Sequence, residues 1–184
     1  KNAFLLSQTT EKLSAVNNAN NTGIWIMTHG NGNNSFYAFL LDGSGVDSVP
    51  VISNIGQSFG MNGDNVGQMK FSPDGTKIAV AAWNSNFVEL FDFNSITGMV
   101  SNNILINIPY AANGVYGLEF SPASNYLYAA NVIPGNIYQW DITSNSSVVI
   151  NSSIQQIGNS SSSYRGALQL GPDGKIYVAR NLGT

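Results

Sequence analysis

Tyr110, Tyr116, Tyr164, Arg165, Trp83 and Arg180 lie near the ends of apolar runs and join aromatic faces to guanidinium charge. Aromatic faces suit flat, hydroxyl-rich ligands such as glycans, and they suit protein interfaces as well. His29 is the single histidine of the chain and follows a β-rich run directly, which places it in a loop beside that binding set. No second His and no Cys stand ready to share a metal with it. Asp42, Asp47, Asp64, Asp74 and Asp173 occupy turn-like segments and could offer oxygens to Ca²⁺. None belongs to a spaced Asp-x-Asn-x-Asp-Gly loop, and Met61-Asn62-Gly63-Asp64-Asn65 has the residue types without the spacing, so it is read as turn chemistry. The expectation is therefore no cofactor, with Ca²⁺ the one open possibility. No Gly-x-Ser-x-Gly elbow, phosphate loop or paired Glu is present.

The elements that must position these side chains recur with a period of about fifty residues. Gln68-Met69-Lys70-Phe71-Ser72-Pro73-Asp74-Gly75, Gly117-Leu118-Glu119-Phe120-Ser121-Pro122-Ala123-Ser124 and Ala167-Leu168-Gln169-Leu170-Gly171-Pro172-Asp173-Gly174 are near copies. Each leads into a second β-rich run, of which Lys77 to Ala82 is typical. Leu41-Asp42, Phe91-Asp92 and Trp140-Asp141 end the third strands, each Asp expected to accept backbone N–H groups in the turn that follows. Val49 to Ile55, Val100 to Ile108 and Val148 to Ile157 supply fourth strands.

Four strands per repeat predict an all-β fold, a β-propeller of antiparallel four-stranded blades. The blades are expected at about 12–56, 66–109 and 115–158, with a partial blade at 164–184 and an orphan strand at 3–6. That makes about three and a half blades in a single domain. Rings close with roughly four to eight, so the remaining blades are expected in the same longer chain or in a second copy. Along the innermost strands, Met69, Phe71, Leu118, Phe120, Leu168 and Leu170 alternate with Lys70, Glu119 and Gln169, so the two sets occupy opposite faces. Trp25, Trp140, Tyr128, Tyr138 and Tyr177 are expected between blades.

Only 9% of the 184 residues are charged, and Asn, Ser and Gly fill the polar positions. The net charge of −3 and the scattered seven Lys and Arg leave no basic stripe for phosphates, which argues against nucleic acid. The apolar runs fall well short of the roughly 20 residues that span a bilayer. The absence of Cys removes disulfides and thiolate chemistry. The first residue is Lys1, read as a processed or cut end.

Lys12-Leu13-Ser14-Ala15-Val16, Ile24-Trp25-Ile26-Met27-Thr28-His29-Gly30, the Ser-Pro-Asp-Gly unit at 72–75 and the run from Gly166 to Arg180 carry a resemblance. They resemble the propeller region of secreted Bacteroidetes surface proteins that bear gliding-motility-associated or type IX sorting domains. More loosely, the chain is similar to WD-repeat-like and YVTN-type propellers. The closer resemblance implies a ring of about seven blades, an extracellular or cell-surface location and no catalytic residues to carry over. The function expected on this basis is a non-catalytic, adhesin-like scaffold for protein or glycan, more an interaction module than an enzyme. Tyr116 and Arg165 precede innermost strands and head its binding set. The alternative is a lactonase or lyase acting at the channel mouth, as in enzymes that YVTN-type propellers resemble, and it would draw on His29, Glu119 and Arg165.

Overall fold

The computed structural model describes residues 4–60, 62–108, 114–159 and 164–181, with only the backbone at 164, 165 and 181. The first sheet contains β1 (Thr9–Asn17), β2 (Gly23–Gly30), β3 (Asn33–Asp42), β4 (Gly45–Val46) and β5 (Val51–Phe59), with β4 and β5 both paired to β3. The second runs β6 (Met69–Phe71), β7 (Lys77–Ala82), β8 (Phe87–Asn94), β9 (Met99–Asn107). The third runs β10 (Val115–Phe120), β11 (Tyr126–Asn131), β12 (Ile137–Asp141), then α1 (Ser147–Ser152) and β13 (Gln155–Gly158). The fourth holds β14 (Tyr164–Leu170) and β15 (Ile176–Asn181). Every pairing is antiparallel, so the blade order expected from the repeat is the order observed.

Blades stack through alternate residues of the same strand. Ile78, Val80 and Ala82 of β7 join the core with Trp25, Met27, Phe36 and Phe59 of the first sheet. Ala79 and Ala81 join the opposite core with Leu118, Phe120, Tyr138 and Trp140 of the third. A strand buried on both faces has no need of polar alternation, which is why Ile78 to Ala82 reads as an unbroken apolar run. The turn after β6 closes with Gly75 N–H donating to Ser72 O, and Gly75 takes a φ of +69° that a side chain would resist. Asp42 and Asp141 accept the N–H and hydroxyl of Ser44 and Thr143, two residues on. Those hydroxyl bonds, then the backbone ones, hold both carboxyls below the ordinary value. Asp92 differs: it takes Lys77 Nζ at 2.8 Å and Asn102 Nδ2, a cross-strand role instead of a turn role.

Four expectations are corrected. Residues 4–6 form no strand, and Ala3 lies outside the described residues. The first inner strand begins at Thr9, three residues before Lys12. The fourth strand of the third blade is only Gln155–Gly158, because Val148 and Val149 sit in α1. Ser146 caps that helix by accepting from Val149 N–H, and Ile150 alone is driven into the core, so the β-branched run reads as strand while its ends favour a helical turn. Tyr177 is 56% exposed on the outer of the two described strands of its sheet, where its hydroxyl donates to Asp173 instead of packing between blades.

Candidate functional site

The innermost strands β1, β6, β10 and β14 face a shared polar gap, and it is here that polar side chains of different blades meet. Lys70 Nζ lies 3.3 Å from Glu119 Oε2 and donates to Gln169 Oε1 at 2.8 Å. Glu119 is held from the backbone as well: Oε1 accepts from Phe120 N–H at 3.0 Å and Oε2 from Leu170 N–H at 2.8 Å. Gln68 Oε1 bridges two blades by accepting from Leu118 N–H and Leu168 N–H, at 2.9 and 3.1 Å. One cavity of about 530 Å³ is lined by Ser14, Lys70, Glu119 and Gln169. A second, of about 330 Å³, is lined by Glu11, Ser14, Gln68, Lys70 and Tyr116. Both volumes fall within the roughly 300–1,000 Å³ of small-molecule sites, and Lys70 lines each of them.

Glu11 is the exposed carboxylate of the second cavity; its Oε1 accepts from Gly67 N–H at 2.7 Å. The Tyr116 hydroxyl is hydrogen-bonded to it, and burial first, then that carboxylate, raise the phenol above its ordinary pKa. Tyr116 therefore stays a protonated donor at neutral pH. Glu119, by contrast, has a side chain only 5% exposed, with both oxygens engaged. The arrangement offers a reachable carboxylate, a phenol and an ammonium fixed from behind by a second carboxylate.

The expected site residues divide sharply. Tyr116 does line the gap. Tyr110 lies outside the described residues. Tyr164 and Arg165 open β14, paired in register with Asn181 and Arg180, and their side chains are outside the described part. Arg180 is exposed on the neighbouring strand β15. Trp83 is half-buried against glycine turns: a Cβ on Gly114 would collide with its indole, and one on Gly63 would approach it to 3.2 Å. It serves the packing of loops. Glu11, Gln68 and Lys70 had no place in the sequence-based site. Their signal was available for Lys70 and Gln169, which share a face with Glu119 by strand alternation.

His29 is not in a loop. It lies within β2, next to its last residue Gly30, fully buried, its ring set edge-on to Phe36 and Phe59 with centroids 4.7 Å away in each case. Nδ1 lies 2.8 Å from Gly30 O, to which it donates, and burial pushes the imidazole down to about 4. A ring so enclosed contacts no surface ligand, so it leaves the binding set. Its pKa is depressed in the fold from 6.5 to about 4, so the unfolded chain takes up the proton first. The stability tied to this neutral ring is present above pH 6.5 and lost as pH falls towards 4, amounting to about 3 kcal/mol. Denaturant midpoints should fall between pH 7 and pH 4.5, and His29→Phe should flatten that slope; an unchanged slope refutes the account.

The turn carboxylates serve turns, Asp47 and Asp74 their own and Asp64 the turn between β7 and β8. Asp64 accepts Ser85 N–H and Oγ at 2.7 and 2.6 Å, Asp74 accepts from Ser72 and Thr76, and Asp47 accepts Val49 N–H. Among the described residues no group of three or more His, Asp or Glu is placed to hold a metal ion, and no helix is long and apolar enough to cross a membrane.

No known family profile matches the chain, and no curated protein is similar to it in sequence. Solved structures do share its fold. A candidate 6-phosphogluconolactonase of Bacteroides uniformis superposes with a TM-score of 0.60 at 19% identity, covering 90% of this chain and 46% of its own. The periplasmic gluconolactonase of Pseudomonas aeruginosa gives 0.57 at 12% identity, over 91% of this chain and 49% of its own. The Cps50 β-propeller domain of Myceliophteria thermophila gives 0.53 at 10%, over 87% of this chain and 43% of its own. The chain thus spans about half the length of these neighbours, and its fold is that of propeller blades. The lactonase names of two neighbours overturn the expectation of a non-catalytic adhesin-like scaffold and the leaning against an enzyme. None of the three is described as a gliding-motility or type IX sorting protein.

Proposed function

We propose that this chain is part of a lactone-hydrolysing propeller whose reaction takes place in the gap between β1, β6 and β10. The observation that carries the reading is the convergence of Glu11, Tyr116 and Lys70 on one polar cavity. A lactone is a cyclic ester. Its hydrolysis needs a base for the attacking water and positive charge where the carbonyl oxygen becomes anionic. Glu11, the accessible carboxylate, takes a proton from water as the water oxygen bonds to the carbonyl carbon. Lys70 stabilises the oxyanion. Collapse of the tetrahedral centre breaks the bond to the ring oxygen, which receives the proton Glu11 took from water and leaves as the hydroxyl of the open acid, returning Glu11 to its carboxylate.

Glu119 and Gln169 act through Lys70, holding its ammonium on the gap side of β6. The sequence reading named Glu119 with His29 and Arg165 for the lactonase or lyase alternative; here Glu119 is a positioning residue. Its oxygens already receive Phe120 N–H, Leu170 N–H and Lys70, which suits it to positioning. The lactonase names of the structural neighbours support the reading, and the periplasmic one supports a place outside the cytoplasm. In this reading the four sheets form one propeller unit.

The test uses the full chain and glucono-δ-lactone, with acid release followed against the spontaneous rate. Hydrolysis above that rate is expected, and Lys70→Met should lower kcat about 100-fold, the scale of one oxyanion-stabilising group. A folded chain that leaves the spontaneous rate unchanged overturns the proposal.

A further inference from the structure

We infer that the site selects neutral, polyhydroxylated lactones over phosphorylated ones, an inference that rests on the lactonase reading. The neighbours' names span both chemistries, one a phosphogluconolactonase and one a gluconolactonase. The choice between them is decided by the charges of this chain's own gap.

Among the described residues lining the two cavities, the ionisable chains of fixed sign are Glu11, Lys70 and Glu119, two carboxylates and one ammonium. The formal balance is −1. Two partners already draw on the three donors of the ammonium, Glu119 at 3.3 Å and Gln169 at 2.8 Å, which leaves one N–H for a ligand oxygen. A phosphate dianion entering this space would meet one partnered cation and a surplus of negative charge at short range. The usual uncharged phosphate cradle is missing from the described lining too. Such cradles are built from a glycine-rich loop or a helix N-terminus presenting several N–H groups. The one described helix, α1, contributes no residue to either cavity, and Gly67 N–H is spent on Glu11.

What the gap does present fits a polyol. Ser14, Gln68, Tyr116 and Gln169 bring hydroxyl and amide groups, each able to bond a sugar hydroxyl without charge. Gln68 is pinned by two backbone donors from different blades, so its amide is held in place before any ligand arrives. Fixed neutral partners of this sort favour ligands that carry matching hydroxyls over those that lack them.

The experiment compares kcat/KM of the full chain for glucono-δ-lactone and for its 6-phosphate at about 0.1 M salt. The neutral lactone should be preferred at least tenfold. Glu119→Gln, which removes one carboxylate and releases Lys70, should shift the ratio towards the phosphate ester by about tenfold. Equal or better use of the phosphate ester overturns this inference while leaving the lactonase reading standing. A neutral preference that Glu119→Gln leaves unmoved overturns its electrostatic basis. Hydrolysis of neither substrate above the spontaneous rate overturns the lactonase reading itself, and the selectivity with it.

Discussion

Glu11→Gln lowers kcat for glucono-δ-lactone by about 100-fold or more, with the melting temperature changed by no more than a few degrees. Glutamine keeps the carbonyl oxygen that receives Gly67 N–H at 2.7 Å, and it keeps a group that can bond the Tyr116 hydroxyl. What it loses is basicity. The prediction separates the two carboxylates of the gap: Glu119→Gln should cost about tenfold, through a less firmly held Lys70 and not through loss of the base. Steady-state kinetics on both variants, with circular dichroism to verify folding, decide the matter. A larger loss in Glu119→Gln than in Glu11→Gln would reverse the assignment of roles.

Lys12→Met destabilises the fold by about 3 kcal/mol, or ~6–12 °C in melting temperature for a domain of this size. Lys12 is completely buried, and its Nζ donates to Val66 O, Gly67 O and Ala81 O at 2.9, 3.4 and 2.6 Å, with the Phe59 ring 4.9 Å below. Desolvation lowers its pKa to about 8, against the raising influence of Glu11 and Asp64, so the ammonium still carries most of its charge at neutral pH. Methionine matches the length and removes the cost of burying charge, yet it takes the ammonium donor away from all three carbonyls. Each orphaned buried carbonyl costs about 1–3 kcal/mol, which exceeds the desolvation relieved. Because Ala81 belongs to the second sheet, Val66 and Gly67 to the segment leading into it, and Lys12 to the first sheet, the loss falls on blade-to-blade cohesion. Urea denaturation measures it, and a change below about 1 kcal/mol would show that hydrophobic stacking alone joins the two blades.

The candidate site was legible in part: Tyr116, chosen for its place at an innermost strand, lines the gap. Placing Lys70, Glu119 and Gln169 on a common face followed from pleat alternation in three repeats, and the three do meet. Selecting residues by chemical type failed for His29 and Trp83. A histidine before Gly30 and a tryptophan after Ala82 look like loop-end ligands, but one is enclosed by Phe36 and Phe59 and the other lies on glycine turns. Glu11 escaped notice because it stands beside Lys12 in a strand that otherwise reads as ordinary.

The sequence by itself determined whatever depends on near neighbours along the chain: the period, the β-strands, the Pro-Asp-Gly hairpin turns and the two-faced inner strands. Pleat and turn geometry act over two to four residues, so they leave a direct pattern in the letters. The tertiary structure decided which blades exchange side chains. Lys12 finds its acceptors 54 to 69 residues away, and Lys70 finds Gln169 at a separation of 99. Those meetings are set by how stacked blades are packed and twisted against one another, a relation that no local spacing encodes. The same packing drew Ile150 inward and turned its β-branched run into a helix, and it buried the one histidine as a neutral ring.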